Sequence, residues 1–115
     1  MNRTCLLLDL VDDPDSMARY RAWHAPGAVP EAVVRSIRMA GITGMEIYQL
    51  GDRLVMVMET GPDFDPARKA AADAADPDVQ AWETLMDQFQ KATPWAEPGQ
   101  KWTPAERIFD LSEQL

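Results

Sequence analysis

The stretch MEIYQLGDRLVMVMET, residues 45–60, decides the fold. Two strand-like runs flank Gly51 and Asp52, a pair typical of a two-residue hairpin turn in which glycine takes a positive φ. Such a turn fixes the cross-strand pairs, which we predict to be Gln49–Leu54, Ile47–Met56 and Met45–Met58 on one face and Tyr48–Val55 and Glu46–Val57 on the other. Both faces are largely apolar, whereas a surface hairpin alternates between apolar and polar residues. We therefore expect both faces to be covered.

The segments on either side of this hairpin predict a ferredoxin-like α+β fold. The run TCLLLDLV (4–11) is typical of a buried strand. Four proline-containing sites predict helix starts: Asp13-Pro14, Pro30-Glu31, Asp65-Pro66 and Asp76-Pro77. We predict ERIFDL (106–111) to be the last strand. The order is βαββαβ with each helical region broken in two, which predicts one antiparallel sheet with helices on one face.

The second face of the predicted sheet needs a different cover. Helices protect only one face, and the other face of the hairpin is also apolar. The simplest cover is the same face of a second copy. We therefore predict a homodimer of the dimeric α/β-barrel type.

Length, charge and cysteine content narrow the class of protein. The 115 residues fit a single domain, 1–115. The formal net charge of −8 predicts no nucleic acid and no membrane as partner, because nucleic acids and anionic membranes are bound through clustered lysine and arginine. The single Cys5 cannot form an intramolecular disulfide, which favours a reducing compartment. The N-terminal apolar run is too short for a signal peptide or membrane span, so we expect a cytoplasmic protein.

His24, the only histidine, is the main candidate for acid–base chemistry. The sequence has no metal-ligand cluster, phosphate-binding glycine loop or nucleophile elbow, so we expect no metal and no cofactor. An imidazole is well suited to exchange protons near neutral pH. Tyr20 lies one turn earlier on the same predicted helix face, and Pro26-Gly27 ends that helix just after the ring. The alternative is a histidine that only bonds the last carbonyls of its helix.

Tryptophans supply the other candidate features of a binding site. Trp82 lies on an apolar helix stripe, where a core role is an equal alternative. Trp95 and Trp102 lie in a proline-rich loop where no periodic packing requires them. Flat aromatic faces stack on the apolar C–H faces of sugars, which suggests a small neutral monosaccharide as ligand. The alternative is a hydrophobic lid over the core.

Four segments resemble the L-rhamnose mutarotase family, which includes L-fucose mutarotase-type members. They are YRAWH (20–24) followed by Pro30-Glu31, then the hairpin 45–60, DPDVQAWETLM (76–86) and KWTPAERIFDL (101–111). Members of this family are small, dimeric, ferredoxin-like enzymes. They interconvert the α and β anomers of 6-deoxy-L-hexoses without metal or cofactor.

The resemblance implies a role for four residues. His24 matches the proton donor, and Tyr20 matches a substrate contact. Trp82 matches the first of two paired tryptophans that bind the sugar, and Glu83 stands where the second would be. The complementary base is not assigned by the resemblance, and a water or a carboxylate such as Glu83 can serve.

Three positions depart from the rhamnose-type pattern. They are Glu83 in place of the second tryptophan, Met45 in place of a substrate-contacting tyrosine, and Val29-Pro30-Glu31 in place of Trp-Pro-Glu with one extra residue before it. All three fall in or near the expected sugar pocket. We therefore expect the sugar preference to differ from that pattern, with L-rhamnose and L-fucose both open.

Two other classes of function stay open from the sequence. One is a cofactor-free monooxygenase or a haem-handling protein on the same dimeric scaffold, in which His24 would be the haem ligand. The other is a non-catalytic module that binds a sugar without accelerating exchange of its anomers.

Overall fold

An antiparallel sheet carries four helices on one face in the computed structural model, which describes residues 2–115. The helices are α1 (Pro14–Trp23), α2 (Glu31–Met39), α3 (Pro66–Ala75) and α4 (Pro77–Asp87). The strands are β1 (Asn2–Leu10), β2 (Ile42–Leu50), β3 (Arg53–Thr60), β4 (Gln90–Lys91) and β5 (Thr103–Pro104), and a 3₁₀ turn follows at Leu111–Glu113. Among the described residues, no helix is both long and apolar enough to cross a bilayer.

The sheet has the order β2-β3-β1-β4, with β5 also paired to β1. This order and the split helical regions confirm the ferredoxin-like α+β prediction. The hairpin register is also confirmed, because all five predicted cross-strand pairs are present. Gly51 has a φ of 58°, the left-handed conformation that the two-residue turn requires.

The helix starts follow from local capping chemistry. The side chains of Asp13, Asp65 and Asp76 each accept a hydrogen bond from a backbone N–H in the first turn of α1, α3 and α4. A proline follows each of them, where its missing N–H costs nothing. α2 begins after Pro30, at the predicted Pro30-Glu31 site, and has no side-chain cap.

Alternation along the central strands separates a covered face from an open one. Leu8 and Leu10 of β1 and Leu54 and Met56 of β3 point toward the helices and are buried. The central core cluster joins both strands to α1, to α4 and to the residue just before β4. Its members are Leu10, Tyr20, Leu54, Met86 and Phe89. The helix-covered face thus contains the core and, as shown below, a large cavity.

The opposite face of the sheet is only partly covered. Leu7, Val55 and Val57 point to this side and are half-buried, while Tyr48 and Leu50 at its edge are 55% and 86% exposed. The C-terminal segment 105–111 lies across one part of it, against β1 and β3. In the described part of the chain, apolar side chains on this face therefore remain accessible.

The predicted last strand ERIFDL is wrong. The strand pairing lies upstream at Thr103–Pro104, and it ends with Ala105 N–H donating to Cys5 O at 2.8 Å. Proline cannot donate to a ladder, and Arg107 then bonds the carboxylates of Asp110 and Glu113, which bends the chain into the 3₁₀ turn. Ile108, which the strand pattern would have buried on one side, is 94% exposed.

Candidate active site

Tyr20 and His24 meet at the C-terminal end of α1. His24 is the residue that ends the helix, and Tyr20 lies one turn earlier with only 3% of its surface exposed. Their ring centroids are 4.3 Å apart with an angle of 32° between the ring planes. The i, i+4 spacing thus brings together the two side chains that the sequence predicted to share a face.

A backbone hydrogen bond fixes the role of each imidazole nitrogen. His24 Nδ1 lies 2.7 Å from the carbonyl oxygen of Tyr20. Because a carbonyl oxygen can only accept, Nδ1 must be the donor and retain its proton. The other ring nitrogen, Nε2, is therefore the one that can exchange a proton with a ligand. The helix-end contact and an acid–base role are thus compatible in this histidine.

Trp82 of α4 forms the next wall of the site. Its ring lies edge-on to His24 at a centroid distance of 5.5 Å. Trp23 also packs against the Trp82 ring in a T-shaped contact, with 6.1 Å between the ring centroids. Trp82 is half-buried, so it is held by neighbours yet retains accessible surface. The structure therefore places Trp82 beside His24 with part of its surface accessible.

These side chains line a cavity of about 680 Å³ between the helices and the sheet. That volume is in the range of small-molecule sites. Its floor is formed by side chains of the hairpin, including Met45, Ile47, Met56 and Met58. The side chains of this floor are apolar, and flexible methionine side chains adapt to the shape of the molecule that they contact. The cavity therefore combines an apolar floor with an imidazole and a tyrosine hydroxyl at its side.

Glu83 lines the same cavity next to Trp82 in sequence. Asp73 is the other carboxylate that lines it, but its Oδ2 accepts from Lys69 Nζ at 2.6 Å. Within residues 2–115, Glu83 is in no ion pair. The carboxylate that is free to interact with a ligand is therefore that of Glu83.

All three departures from the rhamnose-type pattern face this cavity. Val29 lines it from the segment before α2, Met45 from β2, and Glu83 from α4. They come from three separate elements, so their convergence results from the fold and not from nearness in sequence.

Two residues of the site were not predicted from the sequence. Gln90 of β4 places its Nε2 3.4 Å from the hydroxyl oxygen of Tyr20, and Lys69 of α3 lines the cavity beside Asp73. The contact between Gln90 and Tyr20 joins residues 70 positions apart, so no local pattern indicates it. The nearest sequence pattern was the apolar stripe of the helix that contains Trp82, and that pattern does not indicate Gln90.

The two loop tryptophans lie in different places. Trp102 is half-buried, lines the cavity and packs against the core. Trp95 is 68% exposed, with its ring 5.1 Å from the guanidinium carbon of Arg53. Arg53 bonds Asp9, and alternation places both on the open face of the sheet. Of the two, only Trp102 is therefore positioned to contact a ligand in this cavity.

Burial changes the proton affinity of Tyr20. Removal from water raises the pKa of the phenol above its ordinary value of 10.0, and the hydrogen bond from Gln90 opposes that rise. The hydroxyl is thus neutral at physiological pH and has a proton that it can donate.

A second hollow of about 1040 Å³ lies on the opposite face. It is formed by β1, β3 and the C-terminal segment, and the Arg3–Glu59 ion pair at 2.9 Å lies on its wall. Among the described residues that line this hollow, none is a histidine or a tyrosine. Within residues 2–115, no group of three or more histidine, cysteine or carboxylate side chains is arranged to hold a metal ion.

Comparison with known protein families gives a match over nearly the whole chain. Residues 3–111 match the family model described as L-rhamnose mutarotase. The chain is also 56% identical over 115 residues to an L-fucose mutarotase from Xanthomonas campestris pv. campestris. This match covers 100% of this chain and 92% of that protein.

Comparison with solved structures gives the same fold. An L-rhamnose mutarotase from Formosa agariphila superposes with a TM-score of 0.68 at 16% identity, covering 96% of this chain and 99% of the other. Tetracenomycin F2 cyclase from Streptomyces glaucescens, a type-II polyketide cyclase, superposes with a TM-score of 0.59 at 18% identity, covering 96% of both chains. At these identities the structural matches support the fold alone.

Proposed function

The chain belongs to the L-rhamnose mutarotase family and is an isomerase of the mutarotase type. We propose that it interconverts the α and β anomers of a 6-deoxy-L-hexose, and that it prefers L-fucose to L-rhamnose. The observation that carries the proposal is that His24, Tyr20 and Trp82 line one cavity. The preference for L-fucose is supported by the 56% identical L-fucose mutarotase and by the three cavity-lining departures from the rhamnose-type pattern.

Mutarotation requires two proton transfers around one bond that breaks and reforms. A base removes the proton of the anomeric hydroxyl while an acid gives a proton to the ring oxygen, and the bond between that oxygen and the anomeric carbon breaks. The open-chain aldehyde rotates, and closure on its other face reverses both transfers. Each positioned acid or base contributes roughly 10²–10⁴-fold, and holding the sugar in a reactive geometry adds to this.

His24 is the general acid in this proposal. Its Nδ1–H is held by the Tyr20 carbonyl. His24 therefore acts as an imidazolium that carries a second proton on Nε2, delivers that proton to the ring oxygen and takes it back on closure. Tyr20 lies against the imidazole and offers a neutral hydroxyl to the sugar. Trp82 packs against the apolar face of the ring.

Glu83 is proposed as the complementary base, acting directly or through a water. It is the cavity carboxylate that is not neutralised by a lysine in the described structure. Glu83→Gln keeps the size of the side chain and removes its basicity. We expect it to lower the exchange rate by roughly 10²-fold or more. An unchanged rate would show that another group is the base.

Saturation-transfer NMR on the anomeric protons tests the proposed reaction. We expect the protein to accelerate exchange for L-fucose most, for L-rhamnose less, and for D-glucose and D-galactose not at all. Faster exchange of L-rhamnose than of L-fucose would overturn the preference. Binding without faster exchange of any sugar would instead identify a sugar-binding module, and a Soret band on titration with haem would identify a haem protein.

We further propose that the chain functions as a homodimer and as one domain over 1–115. The support is the open face, where Leu50 of β2 is 86% exposed and Val57 of β3 is only half-buried. Exposed apolar surface of this kind is typical of an interface. Light scattering at micromolar concentration should give twice the chain mass, and the mass of a single chain would refute the dimer.

The proposed place of action is a reducing compartment such as the cytoplasm. Cys5 is a free thiol with intermediate exposure. A thiol of this kind stays reduced where glutathione and thioredoxin systems operate.

A further inference from the structure

Gln90 is a half-buried polar side chain of the cavity that the mechanism above does not use. Its backbone pairs with Leu10 of β1, whose side chain is 1% exposed, so the start of β4 is fixed to the core. Cross-strand partners share a face of the sheet, which directs Gln90 toward the helices. There it lines the cavity together with Tyr20 and His24.

The contact of Gln90 with Tyr20 is directional. Gln90 Nε2 lies 3.4 Å from the hydroxyl oxygen of Tyr20. An amide nitrogen has only protons to give, so the tyrosine oxygen is the acceptor. Within residues 2–115, the tyrosine hydroxyl donates to no protein group. Its own proton is therefore free to be donated into the cavity.

The other atom of the amide is unsatisfied. Gln90 Oε1 is buried and has no hydrogen-bond partner in the described structure. A buried polar atom without a partner is unfavourable, and Oε1 of Gln90 belongs to a side chain that lines the cavity. Turning the amide over would let Oε1 accept from the tyrosine hydroxyl, but the tyrosine would then present only lone pairs to a ligand.

We propose that Gln90 is a positioning residue that holds the Tyr20 hydroxyl as a donor toward an oxygen of the sugar. The inference rests on the proposed mutarotase function of this cavity. Gln90 does so by occupying a lone pair of the tyrosine oxygen, which leaves the phenolic proton for the substrate. Its Oε1 then accepts a hydrogen bond from a hydroxyl of the bound sugar. The orientation of one amide thus decides whether Tyr20 gives or accepts a hydrogen bond.

Two substitutions separate this role from a purely structural one. Gln90→Met keeps the length of the side chain and removes both polar atoms. We expect kcat/KM to fall roughly tenfold or more, because the variant loses the hydrogen bond to Tyr20 and the one from the sugar. Gln90→Glu introduces an ionised carboxylate that only accepts, and so draws the tyrosine proton away from the cavity. We expect it to be less active than Gln90→Met at neutral pH.

The pH profile of Gln90→Glu is the decisive readout. A protonated carboxylic acid can again donate to the tyrosine oxygen. The activity of Gln90→Glu relative to the wild type should therefore rise as the pH falls, whereas that of Gln90→Met should show no such recovery. If Gln90→Glu is as active as the wild type at neutral pH, or shows no relative recovery in acid, Tyr20 is not held as a donor and the inference is wrong.

A spectroscopic measurement tests the hydrogen bond independently of activity. With Tyr48→Phe as background, Tyr20 is the remaining tyrosine, and its ionisation can be followed by ultraviolet absorbance. Because the bond from Gln90 lowers the pKa of Tyr20, Gln90→Met should move that titration to higher pH. An unmoved titration would contradict the contact.

Gln49→Met is the matched control. Gln49 is also a glutamine with a buried, unpartnered Oε1, but its Nε2 bonds Met17 Sδ and Gly51 O away from the cavity lining. This substitution should leave kcat, KM and the tyrosine titration unchanged, and thermal melts of all variants report whether they fold.

The outcomes for the proposed function and for this inference can be told apart. If the wild type accelerates anomer exchange of no sugar, the proposed function fails, while the titration still tests the contact between Gln90 and Tyr20. If the wild type is active and Gln90→Met equals it, only this inference fails.

Discussion

The two faces of the sheet are built from the same strands but differ in nearly every physical property. In β3, Leu54 and Met56 point toward the helices and are buried, whereas Val55 and Val57 between them are half-buried on the open face. The helix face has the cavity with His24 and Tyr20, and the open face has the hollow bordered by the Arg3–Glu59 ion pair. Strand alternation therefore separates the cavity on one side of the sheet from the accessible apolar surface on the other, and neighbouring residues of one strand belong to opposite faces.

The largest effect expected from this separation concerns exchange catalysis. His24→Ala should slow anomer exchange by roughly 10²–10⁴-fold for every sugar, because it removes the proposed acid. Glu59→Gln changes a titratable group of the open face. Its rate of anomer exchange should stay within about twofold of that of the wild type, since an exposed ion pair contributes little to stability. Saturation-transfer NMR measures both. A fully active His24→Ala, with an unchanged melting curve, would disprove the assignment.

The next effect concerns the stability of the two faces. Leu54→Ala removes a fully buried side chain and should lower the free energy of unfolding by about 2–5 kcal/mol. Val55→Ala, one residue later in the same strand, should cost about 1 kcal/mol or less, because the half-buried side chain loses less contact and leaves little cavity. Urea unfolding of both variants at low protein concentration measures the difference. Equal losses would mean that the faces do not differ as described.

How much of this arrangement is predictable from the sequence depends on how local its causes are. The hairpin register follows from the Gly51-Asp52 turn and from alternation, and the helix starts follow from aspartate-proline pairs. The meeting of Tyr20 with His24 follows from i, i+4 spacing within one helix. Each of these features is determined within a few residues of the chain.

Features that depend on distant contacts were missed. The apolar pattern of ERIFDL resembles a strand, but pairing to β1 ends at Pro104, and Arg107 directs the chain into a turn. Trp95 and Trp102 share one loop, yet the path of that loop leaves only Trp102 at the cavity. The Gln90–Tyr20 contact arises only because β4 pairs with β1. Long-range pairing, which no local pattern encodes, sets all three.

A smaller and more specific effect is expected on the open face. Val57→Lys places a charge among the half-buried side chains that the proposed dimer would cover, and burying an unpaired charge is costly. Light scattering should show the mass falling from that of a dimer to that of one chain, with the helix content retained in circular dichroism. A matched lysine at exposed Ala71 of α3 should leave the mass unchanged. A persistent dimer with Val57→Lys would mean that another surface forms it.

The smallest effect concerns the helix face at high pH. Because burial raises the pKa of Tyr20 in the folded chain above 10.0, the folded state holds the phenolic proton more tightly than the unfolded state. The stability from this group is fully present below pH 10 and is lost as the pH rises through the raised pKa. Urea unfolding between pH 9 and 11.5 should therefore show a steeper alkaline decline for the wild type than for Tyr20→Phe. Tyr48→Phe removes the tyrosine of the open face, and its free energy of unfolding should fall with pH as that of the wild type does. If the free energies of unfolding of the wild type and Tyr20→Phe fall in parallel, burial of the phenol on the helix face does not control its ionisation.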